Sequence, residues 1–297
     1  MAIGSFDGVH LGHQSIVRDV VQEAKRSGIK SRLLTFYPRP SEYFAADKIL
    51  PSLMSWREKV CFLASLGLDD VICMPFNKRL SRLPADQFVQ QILVEGLNAK
   101  YLTVGEDFHF GAKRGGNAEL LKTLSESAGF RVQIAQTPLD ESSRISSTRI
   151  RQCLIEGDMR AAERMLGRPY RLGGRVIRGK QLGRTIGVPT ANLHLKRTRL
   201  CVNGVFTAVV WLDGEAKPAI LNVGYRPAVD QLEKPLLEVH LLDYDGDLYG
   251  QYLEVDLLHK LRDEQKFDSI EELTAQIQAD VQTAQHWHNN RKVKSAD

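Results

Sequence analysis

The feature that most constrains this 297-residue chain is a change of hydrophobic pattern near residue 166. Before it, short apolar runs alternate with longer amphipathic ones; after it, β-type runs follow one another with no helical pattern between them. Each pattern has few ways to bury itself. Strand–helix alternation packs as a parallel sheet covered by helices, and a succession of strands closes as an antiparallel barrel or sandwich. The expected fold is therefore α/β over residues 1–166 and mostly β over 167–297, two domains in all.

Candidate strands in the first half are residues 1–3, 32–36, 71–74, 101–104 and 131–135, rich in branched or aromatic side chains. Ile16, Val17, Val20, Val21 and Ala24 make an apolar stripe that ends at Gly28, and Ser55 with Glu58 forms a capping box for a helix reaching Gly67. This half reads as Rossmann-like. In the second half Gly167, Gly173, Gly174, Gly179, Gly183 and Gly187 crowd one stretch, and β segments follow at 205–212, 219–223, 236–242 and 252–257. They predict a small antiparallel β-barrel. Ser269 and Glu272 open a C-terminal helix, whose Ile270, Leu273, Ile277, Val281, Ala284 and Trp287 recur at helical spacing to cover one face of it. His286, Trp287 and His288 read as that helix's end and 289–297 as a frayed tail.

Composition removes several function classes. Lys+Arg 40 against Asp+Glu 36 leaves a net charge of +4, too small an excess to argue for a nucleic-acid or membrane surface. An anionic small molecule suits it equally well. Cys61, Cys73, Cys153 and Cys201 form no C-x-x-C pair, so neither a zinc site nor a disulfide framework is indicated, and a reducing, cytoplasmic setting is expected. No apolar run reaches the roughly 18 residues of a membrane span, and no basic-then-apolar leader opens the chain.

The most specific local pattern is Gly4-Ser5-Phe6-Asp7-Gly8-Val9-His10-Leu11-Gly12-His13. A strand ends, a glycine-bearing turn follows, and two histidines three apart open a helix. Free N–H groups and the positive helix end face outward at such a turn, and His10 and His13 fall on one side of its first turn, placed to donate to phosphoryl oxygens. Gly4, Phe6 and Gly12 complete the expected ATP- and phosphate-binding set there. Histidines at a helix start also serve simply to cap it. However, H-x-G-H after a first strand is the signature of the α/β nucleotidyltransferase superfamily, and Gly12 permits close approach of a nucleotide.

At the far end of the same half, Ser147, Thr148 and Arg149 bring hydroxyls and a cation to a helix N-terminus, suited to the same kind of anion; a plain Ser/Thr cap is the ordinary alternative. Asp107 follows the fourth strand, at the edge where open α/β sheets bind ligands. It would orient a ribose, a flavin or a metal, or merely cap a turn.

In the second half, Gly183 and Gly187 bracket a loop that leads into Thr190 and Asn192. Two residues apart on an extended segment, Thr190 and Asn192 point the same way and offer two neutral oxygens to one hard cation, which suits magnesium with a nucleotide. A β-turn followed by an edge strand with polar outward residues is the alternative. Glu238 and His240 lie on the face opposite Leu237, Val239 and Leu241, by default a solvated sheet face. The stretch from Gly174 to Lys180 is not a P-loop, because Gln181 replaces the magnesium-binding hydroxyl and no helix pattern follows. Asp243 to Asp247 is a hairpin turn rather than a calcium loop.

Taken together, the chain resembles the bacterial bifunctional riboflavin kinase/FAD synthetase family. The landmarks stand in the family's order: 4–14, 104–111, 145–151, 166–169, 183–193, 222–224 with Arg226 and Pro227, 237–240 and 248–250. The resemblance implies an FMN adenylyltransferase over 1–166, built on a Rossmann-like nucleotidyltransferase sheet, and a riboflavin kinase over 167–297. Each would use ATP and Mg2+, with riboflavin and FMN as further substrates and FMN and FAD as products. It supports Glu238 as the base for a riboflavin hydroxyl, with Thr190 and Asn192 on the magnesium and His10, His13, Ser147, Thr148 and Arg149 on the nucleotide phosphates. Ser5, Arg39 and Tyr225 depart from the family's usual Asn, His and Thr, and are expected to alter affinity rather than abolish activity. Only three residues precede Gly4, against about five or six in a usual strand, so the natural N-terminus is expected to be longer. Rival readings are a chain with one working half and a flavin- or nucleotide-sensing module without turnover. A weak homo-oligomer is compatible with all of these.

Overall fold

A computed structural model of the chain describes residues 1–44, 50–136, 138–141, 143–179, 183, 187–226 and 234–294. Two compact units make it up: Met1–Leu50 with Trp56–Ser147, and Pro51–Ser55 with Thr148–Asp297. By packing, the division thus falls ahead of the expected 166/167. Residues 148–166 join the second unit because the helix Met159–Leu166 lies against the barrel, burying Met159, Ala162, Met165 and Leu166.

The first unit is a five-stranded parallel sheet. Its strands are β1 (Ala2–Ile3), β2 (Arg32–Tyr37), β3 (Asp70–Pro75), β4 (Tyr101–Gly105) and β5 (Arg131–Ala135), in the order β3-β2-β1-β4-β5. Leu33 and Leu34, adjacent and therefore on opposite faces, are both fully buried, as are Leu102 and Val104. Burial on both faces is why these strands read as continuous apolar runs. Helix α1 (Leu11–Ser27) carries the predicted stripe, and Gly28 closes it in a left-handed conformation at φ 65°. Helices α2 (Trp56–Ser65) and α3 (Ala118–Ala128) follow β2 and β4, the latter capped by Asn117, whose side chain accepts from Leu120 N.

The second unit opens with α4 (Ser147–Glu156), whose first residue belongs to the first unit, and α5 (Met159–Leu166). A closed six-stranded barrel follows. Its strands are β6 (Tyr170–Ile177), β7 (Ala191–His194), β8 (Gly204–Leu212), β9 (Glu215–Arg226), β10 (Lys234–Leu241) and β11 (Tyr252–Arg262), in the order β6-β7-β10-β9-β8-β11. β11 pairs with both β6 and β8, which settles barrel over sandwich. β6 escaped the sequence prediction because Gly173 and Gly174 read as turn residues. They are in fact where neighbours crowd the strand: a Cβ on Gly173 would meet Tyr252 Oη at 2.4 Å, and one on Gly174 the His194 carbonyl at 2.9 Å.

The closing helix α6 (Ile270–Lys294) starts with Ser269 Oγ accepting from Glu272 N at 3.1 Å. Val281 and Ala284 pack on Val205, Ile220 and Leu242, where a Val, Ile or Leu side chain contributes roughly 1.5–3 kcal/mol when fully buried. Two expectations fail here. Ile270 is 69% exposed, in a first turn whose Glu271 and Glu272 are exposed as well. His286–His288 is not the helix end: α6 continues to Lys294, and His288 is buried with Nε2 3.3 Å from the Ala219 carbonyl. An amphipathic count sees only apolar positions and misses a histidine that packs by hydrogen bonding.

Candidate active sites

β1 lies between β2 and β4, the point where this sheet's order reverses and where open α/β folds bind ligands. The loop from Gly4 to His10 crosses that edge. Phe6 at φ 47° and Val9 at φ 40° occupy the left-handed region, disfavoured for any side chain and most for a β-branched one. Such strain persists only where surroundings impose it. Here they do so from several elements. Gly4 N donates to Leu34 O at 3.1 Å, Lys59 Nζ to Ser5 O at 2.7 Å, Gln14 Nε2 to Val9 O at 3.0 Å and Ser147 Oγ to Asp7 O at 2.8 Å. The Asp7 carboxylate is ion-paired with Arg39.

His10 is the N-cap of α1, and its Nδ1 accepts a long bond from His13 N at 3.4 Å. With Nδ1 accepting, a neutral His10 carries its proton on Nε2. The two imidazoles stack at 3.7 Å between centroids, and Phe6 covers His13 at 4.7 Å. Burial, then the His10 and Lys59 charges, push the His13 pKa well below its ordinary value. His13 is therefore a neutral donor at physiological pH. Its buried Nδ1 has no protein partner. Gly12 lies under His10: a Cβ there would press on that ring at 3.3 Å.

Sequence reasoning passed over the charges behind this loop. Arg39, 7% exposed, joins Asp7 to Glu42, with Nη2 2.6 Å from Glu42 Oε1. Burial works against its charge, but the Glu42 hydrogen bond and the Asp7 charge outweigh it and raise its pKa. Lys59 is equally hidden, and one signal was legible: with Leu63 it makes up the buried face of α2, an unusual place for a lysine.

Of the remaining candidates in this half, Ser147 reaches the loop but spends its hydroxyl proton on the Asp7 carbonyl. Thr148 and Arg149 begin α4 within the other unit. Asp107 is exposed and pairs with Arg144 Nη2 at 2.8 Å, just past the carboxyl end of β4.

On the barrel, Asn192 of β7 pairs in register with Glu238 of β10, which pairs in turn with Asn222 of β9. Directly opposed residues share a face about 4.5–5.5 Å apart, so these three form a row, and Thr190, two before Asn192, extends it. Asn192 is buried and packs on Gly179, where a Cβ would collide with its amide at 2.4 Å. Thr190 also lines a small cleft of about 80 Å³ with Tyr244, Leu248 and Tyr249. Of the glycine loop, Gly183 and Gly187 are placed, whereas 180–182 and 184–186 lie outside the described residues, as does Pro227. Gly187 is left-handed at φ 77°, and a Cβ on Gly183 would strike the Val188 carbonyl at 2.2 Å. Tyr225 has a structural use, its hydroxyl accepting from Leu200 N at 2.9 Å.

A doubly wound sheet with H-x-G-H at its switch point, joined to a closed barrel bearing a carboxylate–amide row, defines a two-domain nucleotide-dependent transferase. A family profile described as FAD synthetase matches residues 1–149, and one described as riboflavin kinase matches 166–288. The chain belongs to the bifunctional riboflavin kinase/FMN adenylyltransferase family. A protein so described from Pseudomonas fluorescens is 44% identical over 95% of this chain and 90% of its own length. That from Escherichia coli K12 is 42% identical over 97% and 92%. A crystal structure described as a macrolide-efflux protein from Streptococcus pneumoniae superposes with a TM-score of 0.82 at 32% identity, over 96% of this chain and 93% of that one. That description stands apart from the family, and among the described residues no helix is long and apolar enough to cross a membrane.

Proposed function

We propose that this chain phosphorylates riboflavin to FMN with ATP in its C-terminal domain, 167–297, and adenylylates FMN to FAD in its N-terminal domain, 1–166. What carries this most strongly is the pairing, in one chain, of a strained histidine-bearing loop at the sheet's switch point with the Asn192–Glu238–Asn222 row. Each suits a different nucleophile.

In FAD formation an FMN phosphate oxygen attacks the α-phosphorus of ATP, and the bond to the bridging oxygen breaks to release pyrophosphate. A phosphate monoester, with a second pKa near 6, is already ionised and needs no base. Catalysis is then placement and charge stabilisation. His10 and His13 donate N–H groups to the phosphates from the N-terminus of α1, Gly4, Phe6 and Gly12 shape the floor, and Thr148 and Arg149 offer donors to the same kind of anion at the start of α4. Ser147 positions the loop through Asp7, and Asp107 orients flavin, ribose or metal.

In FMN formation the nucleophile is a neutral riboflavin hydroxyl. Glu238 takes its proton as the oxygen attacks the γ-phosphorus and ADP departs. Thr190 and Asn192 would hold Mg2+, with Gly183 and Gly187 shaping the ATP loop. The donors fit that ion: hard neutral oxygens, in a region where no group of His, Cys, Asp or Glu among the described residues forms a metal cage by itself, leave phosphates to complete the shell. When bound, Mg2+ neutralises charge developing between the β- and γ-phosphates. The free thiols of Cys61, Cys73 and Cys153 suit a cytoplasmic setting.

Purified protein incubated with riboflavin, ATP and magnesium, followed by chromatographic separation of flavins, tests both steps. FMN and FAD together are expected; FMN alone, or neither, overturns one or both assignments.

A further inference from the structure

Lys59 is 6% exposed, and its ammonium donates to one neutral acceptor, the Ser5 carbonyl, with the Trp56 ring 6.0 Å away. An ammonium has three donors. Asp7 and Glu42 act on it electrostatically, yet both carboxylates are bonded to Arg39, and no ion pair ties either to Lys59. Arg39 and Cys73 complete the titratable surroundings on that side, and His13 feels the Lys59 charge on the other. Burial of a cation without a paired anion is costly and is retained where an anion arrives.

The groups proposed for this chemistry bring one permanent cation, Arg149. Departing pyrophosphate carries several negative charges, more than one guanidinium beside two stacked imidazoles balances. Arg39 is consumed by its carboxylates. We infer that Lys59 is a substrate ligand for the adenylyl transfer, its two unused donors taking oxygens of the ATP β- and γ-phosphates that leave as pyrophosphate. Lys59 then has two tasks, fixing Ser5 in the strained loop and meeting the leaving group. This rests on the adenylyltransferase assignment above.

The test uses the full-length chain with Lys59→Gln and Lys59→Met. Gln can still donate to the Ser5 carbonyl but carries no charge; Met does neither. Both are expected to lower FAD formation from FMN by roughly 10²–10³, the usual effect of removing one transition-state donor. Both are expected to weaken equilibrium binding of pyrophosphate, added as such, at least tenfold. Riboflavin phosphorylation should be unchanged and serves as the folding control, and hydrogen exchange at residues 4–9 should stay protected in Lys59→Gln. Normal pyrophosphate binding, or restored FAD synthesis, in Lys59→Gln shows that Lys59 is only a loop clamp and overturns the inference. A wild-type chain that binds pyrophosphate but makes no FAD overturns the adenylyltransferase assignment instead.

Discussion

Asn192 and Glu238 stand directly opposite each other on the antiparallel ladder between β7 and β10, on the outer face of a closed barrel. The pairing sets a carboxylate beside an amide, and a shift of one residue in register would turn both toward the barrel interior.

Glu238→Gln keeps the size of that side chain but not its basicity. Phosphorylation of riboflavin should fall by roughly 10²–10⁴ while conversion of supplied FMN to FAD persists. His10→Ala with His13→Ala should do the reverse. Chromatography with each flavin as starting material reads both, and loss of FAD synthesis in a folded Glu238→Gln chain would overturn the division of labour.

Arg39→Met leaves the buried Asp7 and half-buried Glu42 without the guanidinium between them, a change that usually costs about 3–5 kcal/mol. The loop it supports is the strained one, so FAD synthesis should fail at temperatures where riboflavin phosphorylation continues. Adding Asp7→Asn should recover part of the lost stability, because the two residues share one interaction. Simple additivity of the two losses would show that they act independently.

His13 stays neutral in the folded chain at pH values where an unfolded histidine, with a pKa near 6.5, is protonated. Protons then favour the unfolded state, so the first unit should lose stability as pH falls below about 6.5, down to the depressed folded pKa. Amide exchange of α1 at pH 5.5 and 7.5 measures this. His13→Gln should flatten the dependence; an equally steep loss in that variant would assign it to another group.

Asp280, 7% exposed, takes the Arg262 guanidinium in three bonds, at 3.1, 3.0 and 2.7 Å, tying α6 to the barrel. Asp280→Ala should cost about 3 kcal/mol by stranding a half-buried guanidinium. Exchange along α6 should rise first, and riboflavin phosphorylation should fail at a lower temperature. Unchanged protection of α6 would mean that its apolar contacts alone hold it.

Local pattern made the five parallel strands, four of the six barrel strands and the caps at Gly28 and Ser269 legible, because apolar periodicity and cap chemistry act over a few residues. β6 was hidden because its glycines answer to Tyr252 and His194, which lie far along the chain. The H-x-G-H turn could be read in place. The buried Arg39 and half-buried Glu42 behind the turn could not, since only packing shows a charge turned from water, and Lys59 left one signal, its place beside Leu63 on α2.

The sequence by itself determined the two architectures, the family, and the residue types fit for phosphate, metal and proton. It did so through short-range signals: periodicity, glycine placement and motif spacing. Tertiary structure alone decided which of those residues meet: Asn192 across from Glu238, Asp7 clamped by Arg39 and Ser147, and an ammonium held at the Ser5 carbonyl. Register, burial and desolvation are properties of segments brought together from distant parts of the chain, and no local pattern encodes them.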